Sequence, residues 1–371
     1  MSNLPRDLWE EVLSRVPLTS LRKVRSTCKK WNTLSKDSFF AKKHLGQVAE
    51  EANELMVVMM DYSVYLMGFN LNPDAESCIK RQGKLIFPGS DQIEVGQVSH
   101  CDGLLLCVSR DRNTLVVWNP YCGKPLWIES ERSVGYLYTL GYDKSKNSHK
   151  ILRFRGSVDF TIYDLNSDSV SERVLDIAPD RMEYNDNSSV TLNGNAYWHA
   201  TKVEDSDNLD QNFLVCFDFT RETFGPRLPL PFEHVFVDVD TVSLSVVRGR
   251  EKLAVLFQPC DTYKVEIWVT SKIEPDALTW ESKVFLEVSL KQTIHPQFQF
   301  FIGGASFFID EEKKVAMVID KEFDRAVQPT RHQAYIIGVD GSLKRVDLGE
   351  SADKHNIPLA CSYLPSFIQP S

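Results

Sequence analysis

The chain has 371 residues, 43% of them hydrophobic and 25% charged, the balance of a folded protein of about two domains. Its apolar runs fall short of the ~18 residues that a membrane-spanning helix needs, and no basic stretch leading into an apolar one opens it as a secretory signal would. The net charge of −9 is unevenly spread: residues 1–46 hold ten Lys/Arg and four Asp/Glu, a surplus of +6, so the remainder carries −15.

Three short helices are predicted in this basic head. Pro5 suits a first helical position, where its missing N–H is not needed, and Asp7 favours the first turn. Leu4, Leu8, Val12, Leu13 and Val16 follow at helical spacing, and Pro17 stops the run. Thr19 or Ser20 caps a second helix with an apolar stripe of Leu21, Val24, Cys28, Trp31 and Leu34. Ser38 caps a third, with Phe39, Phe40 and Leu45 on its inner side.

So few residues enclose little interior, and no disulfide or metal pattern staples them. The apolar surface must be covered either by another protein or by the rest of this chain. Physical reasoning alone leaves both open. The basic charge points to an acidic partner, nucleic acid or protein.

Leu4-Pro5, Leu8, Val12-Leu13, Arg15-Val16-Pro17, Leu21, Val24-Arg25, Cys28-Lys29, Trp31 and Leu34 together resemble the F-box. The resemblance covers that motif without a gap, from the start of the chain. It implies a helical hook that docks on an acidic Skp-type adaptor and, through it, on a cullin in an SCF ubiquitin ligase. By position, Leu4, Pro5, Leu8, Val12, Leu13, Pro17, Leu21 and Val24 are the implied adaptor contacts. Cys28 and Trp31 divide between that contact and the motif's own core.

The head spans residues 1–46, and polar residues 47–54 read as a linker. From residue 55 to 371 the period changes from helical to alternating, beginning with Met56–Met60 and Val64–Phe69. A loose repeat follows, in which a strand runs into a turn. Asn72, Asn119, Asp164, Asp218, Trp268 and Asp340 mark it, with steps of 47, 45, 54, 50 and 72. A period near 50 predicts propeller blades, about six, in preference to a pair of β-sandwiches. The long last step predicts an insertion, placed at Lys321–Arg331. His100–Cys107 and Ser189–Trp198 share a glycine turn ahead of an apolar strand, and Gly303–Phe308 reads as a third case. The expected fold is therefore mainly β, with a small N-terminal α domain.

Cys101-Asp102-Gly103-Leu104-Leu105-Leu106 and Val117-Trp118-Asn119-Pro120 are similar to phrases of the F-box-associated domain, a kelch-like propeller of plants. So are Leu140-Gly141-Tyr142-Asp143, Ser148-His149-Lys150-Ile151-Leu152 and Cys361-Ser362-Tyr363-Leu364-Pro365-Ser366, with His149 standing where the family usually has an aromatic residue. The resemblance spans about residues 95–368 and implies a domain that recruits a target protein. The last strand, Leu359–Ile368, is expected to close the ring against an early strand.

No catalytic motif emerges. The eight cysteines are scattered without a C-x-x-C pair, so neither zinc nor another cofactor is expected. His100, Cys101 and Asp102 are neighbours on one strand, where adjacent side chains face opposite ways, and a turn or packing role is expected of them. The leading expectation is a non-catalytic substrate receptor of a ubiquitin ligase, cytoplasmic or nuclear, binding neither nucleic acid nor membrane. The alternative is a nucleic-acid-binding regulator using Arg22, Lys23, Arg25, Lys29 and Lys30 on phosphate. Against it stand the apolar residues of the same helix and the acidic body. Asp205–Asn212 and Asp324–His332 are the candidate target-contact loops.

Overall fold

The computed structural model describes residues 8, 11–13, 15, 16, 24, 27, 29 and 31 of the head. It also describes residues 54–371 apart from 73–77, 88–92, 122–124, 131–134, 158, 167–168, 178–181, 185–188, 203–211, 233–238, 248–250, 323–329, 352, 354–355, 367 and 370–371. The expected third helix of the head lies outside the described residues. Residues 8, 11–13, 24, 27, 29 and 31 are helical, whereas from Glu54 onward every named element is a strand.

Six antiparallel sheets form, each read here from its innermost strand outward. The first blade draws on both ends of the chain: Leu359–Ser362, then Glu54–Met60, Ser63–Phe69 and Ile79–Lys84. The second is Val95–Cys101, Leu104–Ser109, Thr114–Trp118 and Pro125–Glu129, and the third is Leu137–Asp143, Ser148–Arg155, Asp159–Asn166 and Ser169–Val174. In the fourth, Met182–Tyr184 and Val190–Leu192 share the inner edge of Asn195–Lys202, followed by Asn212–Asp218 and Thr223–Phe224. The fifth runs Thr241–Val247, Lys252–Gln258 and Lys264–Glu274, whose outer edge pairs with both Ala277–Trp280 and Leu286–Ser289. The sixth is Ser306–Asp310, Val315–Lys321, Thr330–Gly338 and Leu343–Ser351.

Innermost strands touch one another around a closed ring, which makes the body a six-bladed propeller. Its stability comes from apolar clusters at the blade interfaces, each fed by two neighbouring blades. Second strands such as Leu104–Ser109 and Val315–Lys321 are buried throughout because both faces are covered, so they read as continuous apolar runs rather than alternations. The outermost strand Leu343–Ser351 is partly exposed and correspondingly more polar.

All six repeat markers fall on or just after the third strand of a blade. The long last step has a different origin from the one expected. Residues 322–329 merely join two strands of the sixth blade, while most of the extra chain lies at 281–305, where the fifth blade gains its added outer strand before the sixth begins. Asp102-Gly103 and Asn193-Gly194 each form a two-residue hairpin with both φ values positive, as such turns demand. Gly303-Gly304 also lies ahead of an apolar strand, but that strand is the innermost one, Ser306–Asp310, so it does not form the hairpin between a first and a second strand.

Met56–Met59 pair with Leu359–Ser362, so the expected closing strand is present over these residues. Beyond it the tail leaves the sheet and crosses the second blade. Tyr363 N–H donates to Leu55 O at 2.9 Å, and its buried ring meets His100 edge-on. The fully buried Asn119 donates from Nδ2 to the carbonyls of Ser366 (3.0 Å) and Ile368 (2.6 Å). Gly103 sits at φ +87, and a Cβ there would fall 2.1 Å from Ser366 Oγ. Three separate family-like phrases thus meet as one clasp on the chain's two ends.

Candidate functional site

The head offers the first candidate surface. Of the ten expected adaptor contacts, Leu8 and Val12 are 49% and 55% exposed, and Val24 and Trp31 are half-buried. Leu13 is fully buried, so as placed it has no surface to offer a partner. Val16 packs against the apolar cluster between the first and second blades. The head's apolar stripe is therefore divided: part is covered by this chain and part faces solvent. Leu4, Pro5, Pro17, Leu21 and Cys28 lie outside the described residues. Of the residues expected on phosphate in the alternative reading, only Lys29 is described, and it is exposed.

The ring has two unlike ends. Antiparallel order places the turns between first and second strands at the end where the chain enters at Glu54, along with the tail after Ser362. The opposite end collects the turns between second and third strands and the blade-to-blade connections. Both candidate target loops join a second strand to a third, Lys202 to Asn212 and Lys321 to Thr330, and so belong to that far end. Most of their residues are outside the described set. Along the axis runs a cavity of about 360 Å³. Gln97 Nε2 donates to Tyr138 O at 2.7 Å, Thr191 Oγ1 to Leu140 O at 2.7 Å and Ser245 Oγ to Phe307 O at 2.5 Å, stitching inner strand to inner strand. Ser99 Oγ and Ser243 Oγ are buried there without a hydrogen-bond partner in the protein, which suits a hydrated lumen.

A charged cluster holds the third blade to the fourth. Lys150, fully buried, reaches Asp143 Oδ2 and Glu222 Oε1, each at 2.5 Å, and Asp164 Oδ1 at 3.6 Å. Arg173 adds ion pairs to Asp164 and Glu222. Burial opposes ionisation of Asp143, but hydrogen bonds from Lys150 Nζ, Ser145 Oγ and two backbone N–H groups outweigh it and hold the carboxyl down at about 2. Beside it Gly141 lies under the Phe219 ring, where a Cβ would come within 2.1 Å. Gly141-Tyr142-Asp143 and Lys150 thus form a structural seam.

At the entry-end mouth of the lumen, His100, Cys101 and Asp102 part company. His100 Nε2 accepts the Gly103 N–H at 2.9 Å, the turn role expected of it. Asp102, however, is in the hairpin turn at φ +51, not on the strand, so its carboxylate folds back to 3.6 Å from Cys101 Sγ. His149, on the third blade, brings Nε2 to 3.9 Å from the same carboxylate. The three ligand-type atoms all lie within 4.8 Å of one another. Burial pushes the Cys101 thiol well up, with Asp102 adding to it, and pushes His149 down to about 4 against the pull of Asp102. Strand alternation could not reveal this meeting, because it depends on a left-handed turn and on a second blade.

Two family models match the chain: an F-box domain over residues 1–43 and an F-box associated beta propeller domain over residues 55–370. Relatives resemble it end to end. F-box protein At3g19470 of Arabidopsis thaliana is 54% identical, with all of both chains covered. Putative F-box protein At3g24580 of the same plant is 52% identical over 99% of each chain. F-box/kelch-repeat protein At3g16740, also from Arabidopsis thaliana, is 49% identical over 100% of this chain and 99% of its own. With its six-bladed body, its basic helical head and these matches, the chain belongs to the plant F-box proteins that carry an F-box associated β-propeller.

Proposed function

We propose that this protein is a substrate-recognition subunit of an SCF-type ubiquitin ligase. Its helical head docks on a Skp-type adaptor and so on a cullin, and its propeller holds a target protein. The observation that carries the reading is the pair Leu8 and Val12, large apolar side chains left exposed on the helix that matches the F-box. Exposed apolar residues on a small helical element are where a partner's apolar surface gains most from burial. The chain itself does no chemistry under this reading. Its contribution is proximity, a raised effective concentration of target lysines near the ubiquitin-charged enzyme. The far end of the ring, away from the entry of the chain, is the target-facing end, and the site of action is the cytosol or nucleus.

Pull-down of a recombinant Skp-type adaptor by the full chain tests this. The wild type is expected to bind, and Leu8→Ala/Val12→Ala to lose binding while melting like the wild type, since both side chains are exposed. A folded wild type that captures no adaptor overturns the proposal.

A further inference from the structure

We propose that Cys101, Asp102 and His149 form a binding site for one divalent transition-metal ion, of which zinc fits the donors best. The inference is independent of the ligase reading.

The donor set is the first argument. A thiolate, an imidazole nitrogen and a carboxylate oxygen are the ordinary ligands of zinc. With the thiol deprotonated, the two negative ligands cancel the dication, so the loaded site buries no net charge. The displaced proton passes to solvent at the exposed Asp102 side. Geometry is the second argument. Bonds of ~2.0 to 2.3 Å in a tetrahedral centre put ligand atoms roughly 3.3 to 3.5 Å apart. Here Cys101 Sγ and His149 Nε2 stand 3.6 Å and 3.9 Å from Asp102 Oδ2. All three ligand atoms lie within 4.8 Å of one another, so an ion would draw them closer, with Asp102, 51% exposed, the least confined of the three.

The third argument is an orphaned atom. His149 is 4% exposed, and its Nε2 is buried with no hydrogen-bond partner. A buried imidazole nitrogen without a partner is costly and calls for an explanation. Its ring is held in place by Tyr142, 4.9 Å away between centroids, and its Nε2 is aimed at the Asp102 carboxylate. His100 supplies no fourth ligand through Nε2, which already takes the Gly103 N–H. The fourth position would be left to water or a partner's side chain, reached from the exposed Asp102 side. Such an ion would join the second blade to the third, right beside the tail clasp.

Metal titration of the purified full chain, stripped with chelator, tests the site. Cobalt(II) serves as probe because thiolate ligation gives it a charge-transfer band that oxygen-only sites lack. One equivalent of cobalt is expected to raise that band, zinc to bleach it by displacement, and zinc at about a hundredfold excess over Kd to raise the melting temperature by roughly 5 °C. His149→Ala and Cys101→Ala are expected to abolish the band, and Cys216→Ala, far from the site, to keep it. No band with the folded wild type overturns the proposal. So does a band that survives both His149→Ala and Cys101→Ala.

Discussion

Between the third and fourth blades the chain runs on without a break, and the seam is held by charge. Inside the first blade the two ends of the propeller meet, and the contacts that hold the tail there and on the second blade are neutral: the Asn119 amide on tail carbonyls, Tyr363 in an apolar cluster, and the strand Leu359–Ser362 against Met56–Met59. The difference follows from what each contact costs. A buried Lys150 needs several carboxylates at once, and continuous strands hold these in register. A chain terminus must find its place from afar, and amide hydrogen bonds and apolar packing ask for no desolvated charge on arrival.

The two seams should fail differently. Deleting residues 359–371 removes the inner strand of the first blade and opens the ring. The melting temperature is expected to fall by at least ~10 °C, with a broadened transition. An unchanged melt would mean the ring does not depend on its closure. Lys150→Met is the next largest effect. It leaves Asp143, Asp164 and Glu222 clustered without their central cation, a loss of about 3 to 5 kcal/mol by denaturant titration. Changing Asp143→Asn in the same chain should recover part of it, whereas no recovery would mean that lost packing, not stranded charge, causes the damage.

Acid separates the seams on a finer scale. Asp143 ionises at about 2 in the folded protein, below its ordinary ~3.9, so the native state binds fewer protons than the unfolded one between these values. Its contribution is full above pH ~4 and is lost as pH falls toward 2, roughly 2 kcal/mol in all. His100, beside the tail, is held down at about 4 by burial and by the neighbouring His149, and burial holds His149 and His199 at about the same value, so the contributions of all three are full above ~6.5 and are lost as pH falls through 4. Stability measured against pH should therefore decline first between 6.5 and 4. In Lys150→Met the further decline below 4 should become shallower, since Asp143 then loses its cation and keeps only the Ser145 and backbone hydrogen bonds. A lower limb as steep as that of the wild type would show that its carboxylates are not the source.

Much of this architecture was legible before folding. The repeat markers fall on or beside third strands because each such strand is an apolar run ending in a turn, a local property. The Asp102-Gly103 and Asn193-Gly194 hairpins were legible for the same reason. The insertion was misplaced because a loop and an added strand lengthen a repeat equally. Leu13 was grouped with Leu8 and Val12 by helical spacing and by its position in the F-box resemblance, and neither says which side of a stripe the body covers. Cys101 and Asp102 were set aside because adjacent residues of a strand face opposite ways, and His149, distant along the chain, was not linked to them.

Sequence alone thus determined the basic helical head, the strand-rich body, the near-50-residue period and the phrases that mark the family. These rest on residue type, turn chemistry and periodicity, which act over a few residues. Only the tertiary structure decided that Gly103, Asn119 and Ser366 form one clasp, that Lys150 is the hub of a seam, and that His149 faces Cys101 and Asp102. Closing the ring brings distant strands side by side, and those neighbours are a property of the circle and not of the chain order.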